Sequence, residues 1–220
     1  MIYINKKDRQ IIKTLNNLGV DTRYISLYNE HVYINNSKFS KFSRKKEEKF
    51  NCLYPNISVT RSMLFQKICV KVSRTIKNQI KPKDEIYIDN TPTAKNIVLN
   101  IVLESYKRKY GIKIAHTPTK HSIIVSSKCL DDFSSEYIHL MLSGNKITDT
   151  YEENTIYPLI HVHQDWIDDW ISSTDIKHIT SNVEEDTKIK EMLTFLEKHI
   201  PNVNESIKQS VTYLDENRID

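Results

Sequence analysis

Between Lys81 and Leu142 the sequence alternates short β-branched runs with apolar residues at helical spacing, and few folds accommodate that alternation. Ile86-Tyr87-Ile88 reads as a strand and Asp89-Asn90-Thr91-Pro92 as a loop. Thr93 then caps a helix that runs to about Lys109 and ends near Gly111, with Ile97, Val98, Ile101 and Val102 inward and Tyr106 further along. Residues 112–115 and 123–126 read as further strands. A helix from Asp132 to Leu142 carries Phe133, Tyr137, Leu140 and Met141. Strand, helix, strand, strand, helix is the pattern of an α/β domain whose mostly parallel sheet is flanked by helices.

The flanking segments extend this reading. Residues 62–80 predict a helix with Leu64, Ile68, Val72 and Ile76 inward and Lys67, Lys71, Arg74 and Lys77 largely outward. After the α/β core come a short strand near 159–162 and a helix over 165–171 with Trp166 and Trp170 four apart. Two helices follow, at about 186–199 and 204–216, separated by Pro201. At the other end, residues 8–18 place Ile11, Ile12, Leu15 and Leu18 on one helical face before Gly19, and residues 24–34 read as two strands around Asn29-Glu30. Residues 35–49 lack apolar spacing and read as a mobile linker or a nucleic-acid-binding arm, with Phe39 and Phe42 among the lysines. The chain therefore divides into a small α+β N-terminal segment with its basic linker, residues 1–60, and an α/β domain with C-terminal helices, residues 61–220.

Charge is unevenly spread. Residues 1–110 hold 22 Lys and Arg against 9 Asp and Glu, a net of +13, whereas residues 111–220 hold 10 against 19, a net of −9. A split of this kind points to a polyanionic partner, nucleic acid first, because clustered cations gain free energy by displacing counterions from phosphates; a solvated basic face is the bland alternative. The expected phosphate contacts are Lys38, Lys41, Arg44, Lys45, Lys46 and Lys49 of the basic segment, and Lys67, Lys71, Arg74 and Lys77 of the helix after it. Three cysteines are too few and too odd in number for a disulfide framework and fit a reducing compartment. No run of ~18 apolar residues exists and the start, MIYINKKDRQ, has no apolar leader core, so the expectation is a cytoplasmic protein without membrane attachment.

Chemistry is sparse. Only Gly19, Gly111 and Gly144 occur, which excludes the common glycine-rich phosphate loops. Ligands of a parallel sheet bind beyond the carboxyl ends of its strands, so Asp89, Asn90, Thr91, Pro92, Thr93 and Ala94 occupy the first place to look. Pro92 lacks an N–H, Asp89 repels an anion, and Thr91 and Thr93 remain as phosphate donors. Asp131 and Asp132, at a helix start, either cap free N–H groups or hold Mg²⁺ beside a phosphate. Cys129 just before them is either reactive or inertly buried. Cys52 and Cys69 belong to no C-x-x-C pair, and His161 and His163 at i, i+2 are two ligands short of a zinc site, so no metal site is expected.

Four segments in consistent order resemble a known family. KPKDEIYIDNTPTAKNIVLNIVLESYKRKYGIKI resembles the strand, Ser-Gly-Gly-x-Asp-Ser loop and helix of PP-loop ATP pyrophosphatases that thiolate tRNA. VSSKCLDDFSSEYIHLMLSGN resembles their second motif, IYPLIHVHQDWIDDW their Arg-Pro-Leu segment, and KIKEMLTFLEKHIPNVNESIKQSVTYL their terminal helical pair. Departures accompany each match. Both loop glycines are gone, Ser127-Lys128 replaces Gly-His, Tyr157 replaces the Arg before Pro158-Leu159, and residues 179–185 lack the cysteine pair of the catalytic members. A frame kept without its chemistry is similar to the eukaryotic tRNA 2-thiolation protein 2 family, with Pro92-Thr93-Ala94 where Pro-Ser-Ser would stand. The resemblance implies a degenerate PP-loop fold, loss of ATP and zinc, and a non-catalytic role. It further implies a heterodimer with the catalytic 2-thiolation subunit, contact with tRNA, and sulfur supplied by a ubiquitin-like carrier. Two alternatives stand beside it: an altered but active ATP-dependent enzyme using Thr91, Thr93, Asp132 and Cys129, and an interaction protein with no RNA role.

Overall fold

The first helix, α1 (Lys6–Asn17), buries Ile11 and Leu15 and stops at Gly19, whose φ of +73° reverses the chain. Asp21 then caps a single 3₁₀ turn, Thr22–Tyr24. β1 (Ile25–Tyr28) and β2 (His31–Ile34) pair antiparallel around Asn29 and Glu30, both left-handed at φ 45° and 62°. Asn36 caps the short α2 (Ser37–Ser40) and Ser43 caps α3 (Arg44–Leu53). β3 (Ser58–Thr60) adds to β2 in parallel. Ile11, Leu15, Ile25, Val32, Ile34, Phe42, Phe50 and Ile57 fill a core of their own. The computed structural model describes residues 6–115, 117–144, 152–180 and 187–216.

The basic stretch 35–49 is therefore folded, not a linker. Its two caps each start a helix, and Phe42 and Phe50 meet edge to face at 6.1 Å inside the small core. Lys46 is spent within the fold, donating to Gly19 O at 2.6 Å and Lys41 O at 2.9 Å.

Ser62 caps α4 (Met63–Thr75), which buries Phe65, Ile68, Cys69 and Val72 and ends earlier than its apolar spacing predicts. Leu64, expected inward, is only half-buried, because Phe65 and Cys69 take the core face. β4 (Glu85–Ile88) leads into α5 (Ala94–Glu104) and, past Ser105, α6 (Tyr106–Lys109). β5 (Lys113–Ala115), β6 (Ile123–Val125), α7 (Leu130–Leu142), β7 (Thr155–Ile156) and α8 (Gln164–Ser172) follow. α9 (Thr187–His199) and α10 (Val203–Glu216) close the described chain.

These four strands form a wholly parallel sheet in the order β5-β4-β6-β7. From β4 the chain steps to β5 on one side and returns to β6 on the other, so the winding reverses between β4 and β6, where a crevice opens. The strand expected at 159–162 is absent. The ladder ends at Ile156, ahead of Pro158, and Leu159, Ile160 and Val162 are buried in turns instead.

The two sheets are joined by polar bonds around the α5–α6 break. Arg108 donates to Thr22 O at 2.8 Å and Ile25 O at 2.7 Å and pairs with Glu104, whose Oε2 accepts from Leu27 N at 3.0 Å. Tyr33 reaches from β2 into the larger core, edge-on to Trp170 at 5.6 Å, and Trp170 stacks on Phe65 at 4.6 Å.

Candidate functional site

An open cleft of about 1330 Å³ lies at the reversal point, between the loops after β4 and β6 and the start of α8. Asp89, Thr91, Thr93, Ala94, Ser126, Ser127 and Asp132 line it. The position predicted from the strand pattern is thus a real concavity, but its loop has closed on itself. Thr91 N donates to Asp89 Oδ1 at 3.3 Å and Thr93 N to Thr91 O at 2.8 Å. Asn96 N donates to Thr93 Oγ1 at 3.3 Å, the cap of α5. The Asn96 side chain donates to Thr91 O at 2.9 Å and Asp89 Oδ2 at 3.4 Å. Pro92 has no N–H, and its carbonyl accepts from Ile179 N at 2.9 Å. The N–H groups of Thr91, Thr93 and Asn96 are therefore engaged by the chain's own oxygens.

Asp131 and Asp132 do not converge. Asp132 accepts from Cys129 N at 2.8 Å, closing the first turn of α7, and pairs with Lys95 through both oxygens at 2.8 and 2.7 Å. Asp131 turns away, accepting from Gln164 N at 2.7 Å and Asn204 Nδ2 at 3.2 Å, so it ties α7 to α8 and α10. Burial pushes the Asp131 carboxyl above its ordinary value. With both carboxylates committed, among the described residues no group of three or more His, Cys, Asp or Glu could hold a metal ion.

Lys95 is the residue the sequence reading missed. Burial opposes its charge, but Cys129, Asp132 and Asp131 around it prevail and hold the ammonium above its ordinary pKa. Cys129 is fully buried, and burial, with Asp132 next, pushes its thiol far up. That environment suits an inert thiol rather than the nucleophile considered for the active-enzyme alternative. At the rim Lys128 pairs with Glu136, and Gln164 Nε2 donates to Asp168 at 2.8 Å.

The basic residues are placed unevenly. Lys38, Lys41, Arg44, Lys45, Lys67, Arg74 and Lys77 are exposed. Lys71 is paired with Glu205 at 2.9 Å, and Lys67 Nζ stands 3.4 Å over the Trp166 ring. His161 lies in a turn and His163 is the N-cap of α8, so neither is on a strand face, and the His163 ring packs on Trp166 at 5.0 Å. Of the stretch 179–185, residues 181–185 lie outside the described residues.

No family model matches the sequence. Over 93 residues the chain is 28% identical to a probable sulfurtransferase of Methanocaldococcus jannaschii; the match covers 41% of this chain and only 27% of that relative. The structure of the U34-tRNA thiolase NcsA from Methanococcus maripaludis, solved with its 4Fe–4S cluster, superposes with a TM-score of 0.56 at 13% identity, over 71% of this chain and 80% of that one. The fold is accordingly α/β and PP-loop-like. The residues here do not suit such a cluster, which is held by converging thiolates. Cys52 is exposed on α3, Cys69 is buried on α4 and Cys129 is buried before α7, so the three belong to separate elements.

Proposed function

We propose that this protein is a non-catalytic subunit of a cytosolic complex that 2-thiolates the wobble uridine of tRNA. It pairs with the catalytic PP-loop subunit, which takes sulfur from a ubiquitin-like carrier, and contributes basic surface to the tRNA. The sulfurtransferase relative and the thiolase fold support the pathway. The observation that carries the non-catalytic role is the self-bonded loop 89–96, where Thr91, Thr93 and Asn96 N–H groups are satisfied internally. Among the described residues no helix is long and apolar enough to cross a membrane.

The reading is tested by nucleoside mass spectrometry of bulk tRNA from cells depleted of the protein. Loss of wobble 2-thiouridine is expected, and unchanged thiolation would remove the protein from the pathway. A second reading, an active ATP-dependent enzyme, is favoured by one observation: the cleft at the reversal point, at about 1330 Å³, is large enough for a nucleotide. It requires that millimolar ATP raise the melting temperature of the isolated chain, and the non-catalytic reading expects no shift.

A further inference from the structure

A second, smaller pocket of about 320 Å³ lies away from the cleft, where the N-terminal sheet meets α4 and α6. It brings together two features that are distant in sequence: Phe39 of the basic segment and Arg74 of α4. Phe39 is 51% exposed although aromatic, and its ring lies 5.2 Å from that of Tyr24 at an interplanar angle of 32°. Lys109 Nζ stands 5.8 Å from the Tyr24 ring and 5.2 Å from each of the Tyr106 and Tyr110 rings. Arg23, also at the rim, is paired with Asp21 at 2.7 Å, and of the three cations that line the pocket Arg74 and Lys109 have no carboxylate partner among the described residues.

Asn35 is 7% exposed, and its Nδ2 donates to Ser26 Oγ at 2.9 Å and Ser105 Oγ at 3.0 Å. Its Oδ1 has no hydrogen-bond partner. A buried acceptor left without a donor costs roughly 1–3 kcal/mol, set against the two bonds by which the same side chain ties the N-terminal unit to Ser105. Stacking rings beside two cations that lack a carboxylate partner are the complement of an unpaired nucleotide.

We infer that this pocket binds one unstacked nucleotide of RNA, with the base on Phe39 and Tyr24 and the phosphate between Arg74 and Lys109. The inference rests on the reading that the protein binds tRNA, and it names where. Because Phe39 and Arg74 are exposed, substituting them leaves the fold intact, which a thermal melt of each variant verifies.

The experiment titrates the full chain with total tRNA and, separately, with octauridylate, across a salt series. Wild type is compared with Phe39→Ala, Arg74→Ala and, as a charge control, Lys198→Ala on α9. Phe39→Ala is expected to weaken both RNAs about tenfold or more, from the loss of one base–aromatic stack. Arg74→Ala is expected to lower the slope of log affinity against log salt by about one, and Lys198→Ala to change neither. If wild type binds tRNA but Phe39→Ala and Arg74→Ala behave like Lys198→Ala, the pocket is overturned and tRNA binding stands. If octauridylate binds through Phe39 but tRNA does not bind, the pocket stands and the tRNA reading falls. Binding of neither RNA overturns both.

Discussion

Lys95 sits in the first turn of α5, where the helix dipole disfavours a cation, and it is tolerated because Asp132 meets it there. Both side chains are about four-fifths buried, at 18% and 22% exposed, so removing one partner leaves the other charge poorly solvated. Lys95→Met is expected to cost about 2 kcal/mol, below the ~3–5 kcal/mol of a fully buried pair because both groups keep about a fifth of their surface in water, and to lower the melting temperature by roughly 4–8 °C. An unchanged melt would mean that the pair contributes nothing. His161 gives a pH signature. Burial first, then Lys208 and Lys71, depress its pKa against the opposing Glu205. A depressed histidine contributes stability above its ordinary value of about 6.5 and loses it as pH falls through the folded value. The denaturation midpoint of wild type should therefore fall more than that of His161→Gln between about pH 7.5 and pH 5. Glu205, also depressed, first by its hydrogen bond from Lys71, loses its contribution at lower pH, as carboxylates do, which separates the two windows. The loop after β4 was legible because βα connections place ligands there by rule, whereas Lys95 and Asn35 were not. Their partners, Asp132 and Ser105, lie 37 and 70 residues away, beyond any local pattern. For the same reason Lys46 and Lys71 read as free cations although a carbonyl pair and Glu205 hold them.

Elements with a strong period were read closely, and those that depend on caps or on a neighbour were not. The α/β alternation from Glu85 to Leu142 follows from apolar spacing, with boundaries a residue or two off. By contrast α3 buries little beyond Phe50 and shows no amphipathic stripe, so only its cap, Ser43, could have announced it. The apolar run at 159–162 looked like a strand because burial alone was visible; Pro158 and the hydrogen bond from Leu130 N to Val162 O at 3.0 Å direct it into turns. The β1–β2 hairpin supplies the element-scale prediction. Its turn needs positive φ at both central residues; Asn29 accepts this readily, but Glu30 at φ 62° does so against its Cβ. Its ion pair with Lys7 is solvent-exposed and compensates little. Glu30→Gly should stabilise the protein by about 1 kcal/mol, read as a higher urea midpoint at constant slope. A lower midpoint would show that the Glu30 contacts outweigh the backbone strain.

At the scale of the molecule, two cores could unfold together or apart, and the bonds around Arg108 decide which. The smaller core contains no residue of the α/β domain, so apolar packing alone would let the N-terminal unit open separately. Coupling comes instead from Tyr33, whose ring is buried in the larger core, and from the guanidinium that links Thr22 O, Ile25 O and Glu104. Glu104 in turn holds Leu27 N, so loss of Arg108 removes two carbonyl bonds and leaves a half-buried carboxylate without its counter-charge. Intact protein should therefore unfold in one calorimetric transition, with the van't Hoff and calorimetric enthalpies equal. Arg108→Ala should lose about 3 kcal/mol at this junction and split the endotherm, the N-terminal unit melting first. Two resolved transitions in the wild type would contradict this account, because Tyr33 and Arg108 would then be too weak to bind the units together. A single transition in Arg108→Ala would assign the coupling to Tyr33 and the remaining bonds across the junction, such as Asn35 Nδ2 to Ser105 Oγ at 3.0 Å. Either outcome bears on the proposed nucleotide pocket, because Phe39 and Arg74 lie on opposite sides of the same junction and would grip one nucleotide only while it stays closed.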